Sequence, residues 1–249
     1  MIIIKNDKEI DLMRIAGRIV AETLLLVEKE VRPGITTAEL DRIAEEFITK
    51  HGAKPSFKGL YGFPASLCIS VNEQVVHGIP GGYVLKEGDI ISVDCGANIN
   101  GFHGDAARTF AVGNISEEAK RLIKVTEESF FKGLEFAKVG NKLTDISHEI
   151  QRYVEVSGFS VVREFVGHGI GKSVHEDPEV PNFGRPGQGP KLVAGMALAI
   201  EPMVNMGTYR VATLGDDWTV VSADKSLSAH YENTVVILPD GPEILTLIK

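Results

Sequence analysis

The chain has 249 residues, 43% hydrophobic and 24% charged, a globular composition that excludes disorder as its default state. A formal charge of -8, with lysines and arginines scattered, excludes a nucleic-acid groove as its main business. The start MIIIKNDKEI lacks the apolar run of a signal peptide, LVAGMALAI is too short to span a bilayer, and the two cysteines, Cys68 and Cys95, make no disulfide framework, so the expectation is a soluble cytoplasmic protein with no membrane partner.

Apolar residues at Ile10, Met13, Ala16, Val20, Leu24 and Val27 predict a helix over 7–31. Thr36 and Glu39 read as a capping box that opens a second helix through Leu40, Ile43, Ala44, Phe47 and Ile48, ended by Gly52. Much of 60–113 then reads as strands and turns: CISV, VVHGIP, DIISVDCGA and FHGDAARTFAV. Asn100-Gly101 is a strong hairpin-turn signal. With Ile99 paired to Phe102, Asp105 falls opposite Gly96, and Asp94 and Asp105 become diagonal neighbours on one face, roughly 7 Å apart. Two such carboxylates repel each other unless one keeps a proton or a cation joins them. Arg108 is the local base, so a surface pair of Asp105 with Arg108 is the plain alternative to a divalent metal.

Ser116 to Val139 suggests a third helix, and from there the order repeats. VGNKLTDISHEIQRYVEVSG reproduces PGITTAELDRIAEEFITKHG, with glycines at 34 and 140, and at 52 and 158, each 106 residues apart. LKEGDIISVD matches LVAGMALAIE at a separation of 107, which sets Asp94 against Glu201. These landmarks predict one α/β catalytic domain over 1–249, with related halves at about 1–115 and 116–249 and a site between them.

VGHGIGKSVHEDP, residues 166–178, carries His168 and His175 among glycines and mimics a phosphate loop. It misses both phosphate fingerprints by one residue, with Val166 and Lys172 where glycine is required, leaving nucleotide binding as the weaker alternative. Imidazole suits transition metals, although a single histidine is more often a satisfied polar group. Glu201 follows the apolar MALAI and Glu232 opens the apolar ENTVVIL, and buried acids are costly unless paired. EDPEVPNFGRPGQGP, rich in proline and glycine, reads as a loop rimming the entrance.

HGIP at 77, VDCGANINGFHGDAART, GHGIGKSVHEDP, AIEPM and WTVVSADKSLSAHYENTVV together resemble the type I methionine aminopeptidase family. The resemblance implies a pita-bread fold, with two pseudo-symmetric halves whose antiparallel sheets form a central site and whose helices lie outside. It implies two divalent ions, Co, Mn, Fe or Zn, held by Asp94, Asp105, His168, Glu201 and Glu232, with Asp105 and Glu232 shared. His77 and His175 match the substrate-side histidines, and Leu60, Phe63, Cys68, His77, Val174 and Trp218 match the methionine pocket. Val174 and Leu60 depart from the larger residues frequent there.

The implied reaction is removal of the initiator methionine from nascent polypeptides when the second residue is small. A metal-activated water attacks the first peptide bond, Glu201 helps to move its proton, and His175 donates to the developing oxyanion. His77 holds the substrate backbone. The family also implies a monovalent cation near Asn72 and Ser228, a monomer, and transient ribosome docking. Prolidase-like Xaa-Pro peptidases share the ligands, but carry an additional N-terminal domain for which this chain leaves no room.

Overall fold

A computed structural model describes residues 1–248. Helix α1 (Asp7–Glu30) starts at a capping box between Asn6 and Glu9 and buries Ile10, Met13, Ala16, Val20, Leu24 and Val27. Helix α2 (Thr37–Lys50) opens on the expected Thr36–Glu39 box, and Gly52 follows it at φ +75°. Helix α3 (Glu117–Leu134) is shorter than its periodicity suggests. Tight bonds from Phe136 N–H to Gly133 O (2.9 Å) and from Ala137 N–H to Leu134 O (3.0 Å) end it, while buried Ala137 continues the apolar pattern into the turn. Helix α4 spans Leu143–Val156.

The hairpin of Ile90–Ile99 and Phe102–Ala111 turns at Asn100 (φ +54°) and Gly101 (φ +80°), with Gly96 paired to Asp105 as expected. Leu67–Val71 and Lys54–Pro55 complete its antiparallel sheet. In the second half Gly241–Ile244, Asn233–Leu238, Ala197–Ile200, Gly167–Gly169 and Glu176–Val180 lie in that order in a five-stranded antiparallel sheet. A smaller sheet joins Gln74–Val76 of the first half to Val220–Ser222 of the second. The pita-bread fold is this arrangement of antiparallel sheets inside and helices outside.

Side-chain alternation decides which face carries the acids. Ile91, Val93, Cys95, Ala97 and Ala106 pack with Val20 and Leu24 of α1 and Leu40 and Ile48 of α2. Asp94 and Asp105 therefore point to the opposite, inner face. In the other half Leu198, Ile200, Val235 and Ile237 pack with Leu122 and Phe130 of α3 and Ile146 and Ile150 of α4.

Two similar contacts stand about 106 positions apart in the chain. Gly34 N–H donates to Leu85 O at 2.8 Å, and Gly140 N–H donates to Leu192 O at 3.0 Å. Both glycines sit at positive φ, +94° and +100°, where a side chain would be strained. Ala107 and Glu232 exchange backbone hydrogen bonds at 3.3 and 3.0 Å, and Thr234 Oγ1 bonds both the N–H and the carbonyl of Asp105 at 2.9 Å. The hairpin acids are thereby locked beside Glu232.

Two expected segments differ. VVHGIP leaves its strand after Val76, because His77 adopts φ +59°. EDPEVPNFGRPGQGP begins as the strand Glu176–Val180, and residues 187 and 188 bond to Asp145 and Thr144 at the start of α4.

Candidate active site

His168 lies mid-strand between two glycines whose Cβ atoms would collide with neighbouring backbone, at 2.3 Å from Ala199 O and 2.1 Å from Asp177 O. Its Nδ1 is 2.8 Å from the carbonyl of Gly169, an acceptor, so the proton belongs on Nδ1 and Nε2 carries the lone pair. That nitrogen faces Glu201 Oε1 at 3.6 Å and Asp105 Oδ2 at 4.0 Å. Asn182 fixes the corner at Glu201 by donating to its carbonyl at 3.0 Å. Ligand-capable atoms of Asp105, His168 and Glu232 lie within 4.8 Å of one another, as do those of Glu201, His230 and Glu232.

Burial pushes the carboxyls of Asp105, Glu201 and Glu232 well above their ordinary range, and that of Asp94 up to about 7. It also lowers His168, His230 and His77 to about 4, which favours their neutral forms at pH 7. The expected alternative of an Asp105–Arg108 pair does not form. Three residues on along the strand, Arg108 faces the other way, and its guanidinium donates to the carbonyls of Glu232 (2.5 Å) and Ala107 (2.7 Å) and to Asn233 Oδ1 (2.7 Å). Asp94 Oδ1, Asp105 Oδ1 and Glu232 Oε1 are buried with no hydrogen-bond partner among the described residues. Orphaned carboxylate oxygens beside an imidazole lone pair fit divalent first-row metals.

The acids floor a cavity of about 700 Å³ whose walls include Leu60, Phe63, Cys68, His77, His175 and Trp218. Val174 is buried in the same apolar cluster as Phe57, Phe63 and Cys68, and it backs the wall. Trp218 meets Phe63 edge-on at 5.0 Å, and His77 stands edge-on to Phe165 at 5.5 Å. The His175 ring is perpendicular to His168 at 4.5 Å and stacks on Tyr61 at 6.0 Å. Burial lowers the pKa of His175 as well. Asn72 and Ser228 also meet, through a 2.9 Å bond from Ser228 N–H to Asn72 O.

Sequence reasoning missed His230, Phe57, Tyr61 and Phe165. His230 carried only a misleading signal: its place two residues before Glu232 predicts a shared face in an extended chain, but the strand ends at His230 and the imidazole lines a different cavity. Tyr61, exposed in a short turn at φ +51°, offered none.

Residues 11–239 match metallopeptidase family M24. The methionine aminopeptidase of Clostridium perfringens is 78% identical over 249 residues, covering 100% of both chains. Methionine aminopeptidase 1 of Bacillus subtilis is 58% identical over 248 residues, again covering 100% of both. The crystal structure of methionine aminopeptidase from Thermotoga maritima superposes with a TM-score of 0.98 at 48% identity, covering 100% of each chain. The prolidase from Pyrococcus furiosus, 23% identical with a TM-score of 0.82 over 99% of this chain and 66% of that one, shares the fold. The chain belongs to metallopeptidase family M24, among the type I methionine aminopeptidases.

Proposed function

We propose that the chain is a metal-dependent aminopeptidase that removes the initiator methionine from nascent polypeptides whose second residue is small. The observation that carries this is the convergence of four acids, Asp105 and Glu232 buried and Asp94 and Glu201 half-buried, with one imidazole lone pair in a cavity that no lysine or arginine lines among the described residues. Asp94, Asp105, His168, Glu201 and Glu232 are the residues that would hold the proposed pair of divalent ions. Co, Mn, Fe and Zn all suit this donor set. Bound there, such ions supply Lewis acidity and water activation.

The side chains divide the remaining work. Glu201, with Oε1 facing the cavity beside His168 at 3.6 Å, is placed to take and return the proton of the attacking water. His175, neutral at pH 7, presents an N–H donor for the oxyanion that develops on the scissile carbonyl. His77, held by Phe165 and Trp218, orients the peptide backbone. Leu60, Phe63, Cys68 and Trp218, backed by Val174, form an apolar slot for a thioether side chain.

The protein acts as one catalytic unit of two related halves, as a cytoplasmic monomer that meets nascent chains in transient contact with the ribosome. A monovalent cation beside Asn72 and Ser228 completes the proposed ion set. The test compares release of free methionine from Met-Ala and Met-Lys peptides, with and without chelator. Chelator-sensitive cleavage of Met-Ala alone is expected. Equal cleavage of both peptides, or indifference to chelator, overturns the proposal.

A further inference from the structure

His230 stands behind the acids. The 700 Å³ cavity is lined by Asp94, Asp105, His168, Glu201 and Glu232, whereas His230 lines a separate cavity of about 280 Å³ on the far side, with Arg108 and Tyr231. The residue is only 1% exposed, and its Nε2 has no hydrogen-bond partner among the described residues. That nitrogen lies 3.6 Å from Glu201 Oε2 and 3.9 Å from Glu232 Oε2.

The two oxygens of Glu201 are thus divided between two histidines. Oε1 faces the lone pair of His168 at 3.6 Å, and Oε2 faces His230 at the same distance. A carboxylate that binds an ion through one oxygen needs a partner for the other, and a group pressing from behind fixes its rotation. His230 is the polar side chain placed to do this.

We propose that His230 is a positioning residue whose Nε2–H donates to Glu201 Oε2, turning Oε1 toward His168 and the ion, with Glu232 held alongside. The donor role follows from placement: the imidazole reaches the carboxylates from the side opposite the cavity. Loss of such an outer partner typically weakens metal binding about 10–100-fold. The inference rests on the ligand assignment proposed above.

The test uses the full-length H230L, H230Q and D105N proteins. Affinity for Mn(II) is measured by titration calorimetry, the Co(II) environment by visible absorption, and kcat and KM with a Met-Ala peptide. H230L is expected to bind about 10–100-fold more weakly and to shift the Co(II) bands. H230Q, which can place an amide N–H at similar reach, is expected to stay within about threefold of the parent. H230L with unchanged affinity and spectrum, or H230Q as damaged as H230L, overturns the proposal. D105N separates the two levels of inference: if it keeps full affinity the ligand assignment fails, and if it loses the metal while H230L is unaffected only the role of His230 fails. Nitrogen-15 spectra of the Zn(II)-loaded parent give a readout independent of folding in the variants. A protonated Nε2 on His230 is expected, and a bare or metal-shifted Nε2 overturns the donor role.

Discussion

Lys5 and Glu176 form an ion pair with Nζ 2.5 Å from Oε2, their side chains only 2% and 6% exposed. The other carboxylate oxygen accepts from the N–H groups of Lys172 (2.8 Å) and Ser173 (3.2 Å), so Glu176 clamps the turn that delivers its neighbour His175 to the cavity. Lys5 is itself anchored, through its N–H to Gly195 O at 2.8 Å and its Nζ to Ile3 O at 3.0 Å. The N-terminal segment is thereby a brace for a residue 170 positions away in the chain, counting from Lys5 to His175.

Replacing Lys5 with methionine strands Glu176 as an unpaired buried charge. The expected cost is about 3–5 kcal/mol in urea unfolding, with a fall in kcat as the turn loosens. Removing the charge as well, in K5M/E176Q, should recover much of the stability. A K5M protein within about 1 kcal/mol of the parent would show that the pair does not brace the fold, since exposed pairs contribute only that much.

The proposed roles of His175 and the acids separate in one experiment. His175→Ala leaves the five proposed ligands in place, so turnover is expected to fall by about 10²-fold, the usual loss for one oxyanion donor, while metal content by elemental analysis stays at the parent level. Asp105→Ala and Glu232→Ala should lose metal and activity together. Loss of metal from the His175 variant would place His175 among the ligands.

The hairpin was legible to the residue, since Asn100-Gly101 fixes the turn and a period of two fixes the face of Asp94 and Asp105. The family motifs likewise located the five converging residues. The Lys5–Glu176 brace was not legible, because a pair separated by 171 residues leaves no local pattern. His230 was hidden for another reason: HYENTVVIL reads as an ordinary strand entry, and only the folded chain shows a buried imidazole with no partner behind Glu201. The end of α3 was overestimated because Ala137 keeps the apolar period after the backbone has left the helix.

Helix α1 crosses the hairpin at two glycines. A Cβ on Gly104 would lie 2.7 Å from Gly17 N and 2.8 Å from Gly17 Cα, and one on Gly17 would lie 2.4 Å from Leu245 O. The obstacles around Gly104 are all backbone, which cannot rotate away. Gly104→Ala is therefore expected to cost about 1–3 kcal/mol by overpacking, read as a lower Tm in calorimetry. Since Asp105 is the next residue, weaker Mn(II) binding should accompany the loss. An unchanged Tm would mean that the helix lifts off the hairpin freely.

Metal removal should reverse the ordinary pH dependence of stability. In the chelated protein burial holds the carboxyls of Asp105, Glu201 and Glu232 well above their normal range, with Asp94 at about 7. The unfolded chain releases those protons above about pH 4, while the folded chain keeps them, so folding binds protons and stability falls as pH rises. His77, His168 and His230, lowered to about 4, act in the opposite sense between about pH 4 and 6.5, where the unfolded chain is the more protonated. Above 6.5 these histidines are neutral in both states and the carboxyl effect stands alone. The Tm of the chelated protein is expected to fall between pH 6.5 and 8.5. Saturating Mn(II) should abolish or invert that slope, because the ions take the place of the protons and bind the folded chain alone. A chelated protein whose Tm stays flat or rises over this range would mean that the acids already have partners, and the case for a metal centre would lose its electrostatic basis.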